Sequence, residues 1–173
     1  MPLGDGNNVP LGSEYGKEDI LIASVEMGDR IPYITKMLES GADVDYNDGE
    51  ALYWAVEKGD LAVTKILIEH GADFHAMEDE PLSLAALNND MPMVEYLLSK
   101  GTDASINSCT AVINACHYGF LDIVKVLLDS IEPGVVDSDG YKMLYTIADK
   151  NSHEPVSSYI GKLMEELGAE SED

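Results

Sequence analysis

Three short signatures, Gly41-Ala42-Asp43, Gly71-Ala72-Asp73 and Gly101-Thr102-Asp103, stand 30 residues apart, and no other feature of the sequence restricts the possible folds as strongly. Each closes a similar run. The fullest copy extends from Gly59-Asp60-Leu61 through Ile66-Leu67-Ile68 to Asp73; upstream Gly28-Asp29 leads to Met37-Leu38, and downstream Asn89-Asp90 leads to Leu97-Leu98. A fourth run, from Gly119 through Leu121, Ile123, Val124, Leu127 and Leu128, exits through Ile131-Glu132-Pro133-Gly134 and breaks the interval. Leu163-Met164-Glu165-Glu166-Leu167-Gly168-Ala169-Glu170 keeps only the end of the pattern. Self-similarity of this period means units that cannot bury their own apolar faces and stack on their neighbours.

Within each unit the apolar residues predict two helices joined by a tight turn, so the expected fold is an all-α solenoid of about five helix-turn-helix units with short connecting loops. Residues 1–17, rich in Gly, Pro and Asn, form an expected flexible arm, and 18–173 the repeat domain, with units at about 19–48, 49–79, 80–108, 109–139 and 140–173. Gly28, Gly41 and Asn89 suit left-handed positions that end helices. Pro92 falls in a first helical turn, where proline is tolerated. The first unit has one residue more than its sisters before Leu38, which predicts a local adjustment near Pro32. In the fifth, Lys150 to Pro155 reads as a longer turn, followed by an amphipathic C-terminal cap with Val156, Tyr159, Ile160, Leu163, Met164 and Leu167 on one face and Ser157, Ser158, Lys162, Glu165 and Glu166 on the other.

Charge narrows the function. Thirty-three acidic against ten basic residues leave a net charge of −23, which opposes direct binding to nucleic acid or to an anionic membrane and favours a basic partner. No apolar run is long enough to span a bilayer, and Cys109 and Cys116 are the only cysteines. The expectation is a soluble cytoplasmic or otherwise intracellular protein of a reducing compartment.

The runs resemble those of the ankyrin-repeat family. Ala55-Val56 with Gly59-Asp60-Leu61, then Ile66-Leu67-Ile68 and Gly71-Ala72-Asp73, fall where that family has Ala-Ala, Gly-His-Leu, Val-Leu-Leu and Gly-Ala-Asp. The usual Thr-Pro-Leu-His opening is replaced by Glu50-Ala51-Leu52-Tyr53, Glu80-Pro81-Leu82-Ser83 and Thr110-Ala111-Val112-Ile113, and the period is 30 rather than 33. Compact repeats of this kind are similar to those of large DNA viruses. The missing residues are expected to come out of the projecting hairpin loops. The resemblance implies a non-enzymatic module that binds another protein on a concave side formed by first helices and loops.

The side chains expected there, because they differ most between units, are Asp45, Tyr46, Asp48, Tyr53, Trp54, Glu57, Phe74, His75, Glu78, Asp79, Asn88, Asn114, His117 and Tyr118. Aromatic anchors beside carboxylates suit a basic protein partner. No catalytic constellation and no cofactor site stands out. Cys109, Cys116 and His117 have metal-ligating chemistry, yet Cys116 takes a position filled by Val56 and Ala86 and reads as a small buried hydrophobe. His70, next to a helix-ending Gly71, favours the negative end of the helix dipole. The Asp43-Val44-Asp45-Tyr46-Asn47-Asp48-Gly49-Glu50 run lacks the bidentate glutamate of a calcium loop at the right distance. The alternative function is an acidic inhibitor that imitates nucleic acid and blocks a DNA- or RNA-binding protein. Against it, Glu69, Glu95 and Asp129 belong to second helices and spread the charge around the fold.

Overall fold

A computed structural model describes residues 15–28 and 30–170, with the side chains of 76–80, 106–108, 169 and 170 excepted. Most of the expected arm therefore lies outside the described residues. The described residues form ten helices and no strand. They run as α1 (Lys17–Met27), α2 (Ile31–Glu39), α3 (Tyr46–Glu57), α4 (Leu61–Glu69), α5 (Ala76–Leu87), α6 (Met91–Lys100), α7 (Ile106–Tyr118), α8 (Leu121–Ser130), α9 (Ser138–Lys150) and α10 (Glu154–Glu170). The chain divides into two compact bodies, Met1–Met77 and Glu78–Asp173.

In the first body α1 packs on α2 and α3, and α3 on α4. Leu21, Ile34, Leu52 and Leu67 are fully buried there. In the second, α7 packs on α8 and α9, α6 on α8, and α9 on α10, around Met93, Leu97, Ile123, Leu127, Leu144 and Ile160. Each such side chain contributes about 1.5–3 kcal/mol by leaving water. The buried positions recur with the repeat, so Leu67, Leu97 and Leu127 occupy one place in successive second helices.

The turns between paired helices follow one hydrogen-bond scheme. After α3, Gly59 N donates to the Val56 carbonyl at 2.9 Å and Asp60 N to that of Ala55 at 2.9 Å; after α5, Asn89 N donates to Ala86 at 3.2 Å and Asp90 N to Ala85 at 3.0 Å. The positive φ this requires falls on Gly59 (65°) and, as expected, on Asn89 (56°). Pro92 lies in the first turn of α6. The extra residue of the first unit sits ahead of Pro32, between Gly28 and the start of α2 at Ile31. Gly28 keeps the positive φ expected of a helix-ending glycine (69°), but its ψ of 168° lies outside the left-handed helical region.

Two expectations for the fifth unit are corrected. Its turn is not longer: Asn151 to His153 separate α9 from α10, three residues like 58–60 and 88–90, with Ser152 at φ 63° and His153 N donating to Ala148 at 2.9 Å. Ser157, expected on the polar face of the last helix, is buried and donates its hydroxyl to the Glu154 carbonyl at 3.2 Å, whereas Leu167 is exposed. In α9, Tyr145 holds the place of fully buried Val112 but is exposed and lies against Gly161.

The links between units account for the short period. Asn47, Asp48 and Gly49 adopt successive left-handed conformations (φ 53°, 59° and 80°), and Gly49 N closes a turn onto the Asp45 carbonyl at 3.1 Å. Cys109, one period after Asp79 and two after Gly49, repeats the device at φ 61°, with its N–H on the Ser105 carbonyl at 3.3 Å. A left-handed turn wound onto the first helix thus stands at Asn47 to Gly49.

Candidate partner-binding surface

The Asp of each Gly-(Ala/Thr)-Asp signature organises its own link. Asp43, Asp73 and Asp103 accept the N–H two residues ahead, from Asp45 at 3.1 Å, His75 at 2.9 Å and Ser105 at 2.8 Å. The Ser105 hydroxyl and N–H together hold the Asp103 carboxyl below its usual range. Asp45 in turn accepts the Asp73 N–H at 2.8 Å, so its carboxylate braces one link against the next. Tyr46 (39% exposed) and Asp48 face solvent beside it.

Trp54 is half-buried. Its indole N–H donates to Glu50 Oε1 at 3.4 Å, Glu50 Oε2 accepts from Asn47 Nδ2 at 3.0 Å, and the Tyr53 ring meets it edge-on at 5.5 Å. The tryptophan is thereby fastened to the left-handed turn rather than presented whole. Phe74, half-buried, packs on exposed His75 at 4.6 Å. Glu57 and Asn88 are exposed at the ends of first helices, and Asn114 Nδ2 donates to the Ser83 carbonyl at 3.4 Å, joining α7 to α5. Glu78 and Asp79 belong to the first turn of α5, and their side chains lie outside the described residues.

His117 and Tyr118, at the end of α7, are brought together with three residues that sequence reasoning missed. His117 meets Tyr118 edge-on at 4.8 Å, and Tyr118, 49% exposed, stacks on Phe120 at 5.9 Å with the ring planes 15° apart. From the next turn, Asn151 Nδ2 lies 3.3 Å from His117 Nδ1, and His153 Nε2 bonds the His117 carbonyl at 2.9 Å. The His153 ring covers Gly119 so closely that an added Cβ would come within 2.4 Å of it. A signal for this cluster was present in the repeat. Asp60 and Asp90 cap α4 and α6 by accepting from Val63 N at 3.0 Å and Met93 N at 3.1 Å, and the equivalent residues at α8 and α10 are Phe120 and His153. Phe120 makes no side-chain cap, which forgoes about 1 kcal/mol.

Cys116 is fully buried, and burial pushes its thiol up to about 12, so it remains a protonated hydrophobe like Val56 and Ala86 at the same position. Cys109 is raised as well, by desolvation and then by the Asp103 charge. His70 Nδ1 lies 2.8 Å from the Ile66 carbonyl and finishes α4. Among the described residues no helix is long and apolar enough to cross a membrane.

Two family models match. Residues 82–163 fit the model described as ankyrin repeats (3 copies) and residues 52–98 that described as ankyrin repeats (many copies). No curated protein matches the chain. Paired helices, the shared turn scheme and both matches agree on one assignment: the chain belongs to the ankyrin-repeat family, whose repeats are protein-protein interaction modules.

Proposed function

We propose that this protein is a non-enzymatic adaptor that holds a basic protein segment at the first-helix ends of its second body, those of α5 and α7, and their adjoining links. The observation that carries the reading is where large apolar side chains meet water. Leu87 (37% exposed) and Tyr118 (49%) are the last residues of α5 and α7, helices whose inner positions Leu82 and Val112 are buried; in the first body Met27 (59%) ends α1 in the same way, with Leu21 buried. The side chains there differ from repeat to repeat, while the inner positions of the same helices stay apolar at Leu21, Leu52, Leu82 and Val112, so the variation is free to serve recognition. The net charge of −23 selects the sign of the partner.

The test is a titration with a partner purified from the native host. Tyr118→Ala is expected to weaken binding by more than about 1 kcal/mol, whereas Glu69→Gln and Glu95→Gln, on the exposed sides of second helices, change it little. Silence of the aromatic substitution, a steady loss with each acid removed, and stoichiometric competition by duplex DNA would replace this reading with nucleic-acid imitation.

A further inference from the structure

Two consecutive turns of the second body lack the carboxylate cap that Asp60 and Asp90 supply, a cap that Arg30 at the start of α2 does not make either. Asp60 and Asp90 cap the helices they precede, but Phe120 and His153 put rings in those places, and both rings go to the end of α7. Departures from local consistency of this kind mark sites kept for another purpose. The rings are held rigidly. His153 bonds the His117 carbonyl and closes over Gly119, Asn151 reaches His117, and Phe120 backs Tyr118 with nearly parallel planes.

From this arrangement we infer that Tyr118 and Phe120 form a stacking platform for an arginine side chain of the partner; the inference rests on the basic-partner reading and places its anchor. The faces of aromatic rings attract cations, and the molecule already uses its tyrosines so: the Lys100 ammonium lies 5.2 Å from the Tyr96 ring and that of Lys125 5.8 Å from Tyr159. Tyr118 instead has a parallel ring behind it and about half of its surface in water. A planar, weakly hydrated guanidinium extends such a stack, while a strongly hydrated ammonium gains less from it. The field of a chain with net charge −23 brings the cation in, and the rings fix its place.

The probes are two synthetic peptides, one alternating arginine with glycine and one alternating lysine with glycine, titrated into the full chain at low salt. The arginine peptide should bind about fivefold or more tightly than the lysine peptide, and Tyr118→Leu should weaken it about tenfold. Phe120→Asp is the decisive variant, because it restores the sister cap and adds a negative charge. We expect it to weaken the arginine peptide about tenfold while the melting temperature holds or rises. Tighter binding by Phe120→Asp would overturn the platform and leave the basic-partner reading standing, since field alone would then govern. Equal affinity for the two peptides would overturn the platform in the same way. Failure of the unsubstituted chain to bind either peptide would remove both.

Discussion

The turns between α5 and α6 and between α7 and α8 share a positive-φ residue followed by one backbone bond, Asp90 N to Ala85 at 3.0 Å and Phe120 N to Ala115 at 2.9 Å, but are finished by opposite chemistry. In the first, Asn89 takes the positive φ and the Asp90 carboxylate satisfies a helix N–H. In the second, Gly119 takes the positive φ, Phe120 leaves the cap open, and a histidine from the following turn lies across the glycine. The first turn is complete within its own repeat; the second is completed only by its neighbour. Side chains released from capping contact the end of α7 instead.

That contrast can be broken by substitution. Gly119→Ala should cost roughly 2–4 kcal/mol, adding left-handed strain to a clash with His153, whereas Gly101→Ala, whose Cβ would meet open space, should cost only the strain of about 1–2 kcal/mol. Chemical denaturation of both variants measures the gap, and equal losses would show that the His153 contact carries no weight. Asp90→Ala should lose about 1 kcal/mol with its cap, while Phe120→Asp should lose nothing on that account. Ser24 extends the comparison to the first repeat: it stands fully buried where Ala55, Ala85 and Ala115 stand in the others, and its hydroxyl has no partner among the described residues. Ser24→Ala should therefore stabilise the protein slightly, by about 1 kcal/mol, read as a rise in melting temperature.

The sequence made the repeats legible because each unit restates the same requirement, a buried Leu67, Leu97 or Leu127 and a residue tolerant of positive φ after each first helix. Even the substitution of Asn89 for glycine followed that logic. The fifth turn was misread because neither Ser152 nor His153 is a usual residue for its position; three hydrogen bonds and a ring contact override local preference there. The left-handed turn at Cys109 was hidden for the same reason, since nothing in a cysteine announces φ 61°, whereas Asn47, Asp48 and Gly49 are residues suited to such conformations whose run was weighed only against a calcium loop. Of the surface, Tyr118 and His117 could be named from their variation between repeats. Phe120 and His153 could not, because their significance lies in replacing a carboxylate whose role appears only once Asp60 and Asp90 are seen at work.

The bracing of the Asp73 N–H by Asp45 has a consequence for how the chain finds its fold. That bond spans 28 residues, and further bonds of this reach, Lys17 to Gly41, Asp43 to Glu18, Asn114 to Ser83, and Asn151 and His153 to His117, span 24, 25, 31, 34 and 36. None of these bonds needs a distant stretch of chain before it can form. The entropy of closing each such loop is modest and nearly constant along the chain, so structure begun in one repeat can spread outward one neighbour at a time. Folding should then be rapid, and sensitive less to the protein's length than to the weakest junction between two adjacent repeats.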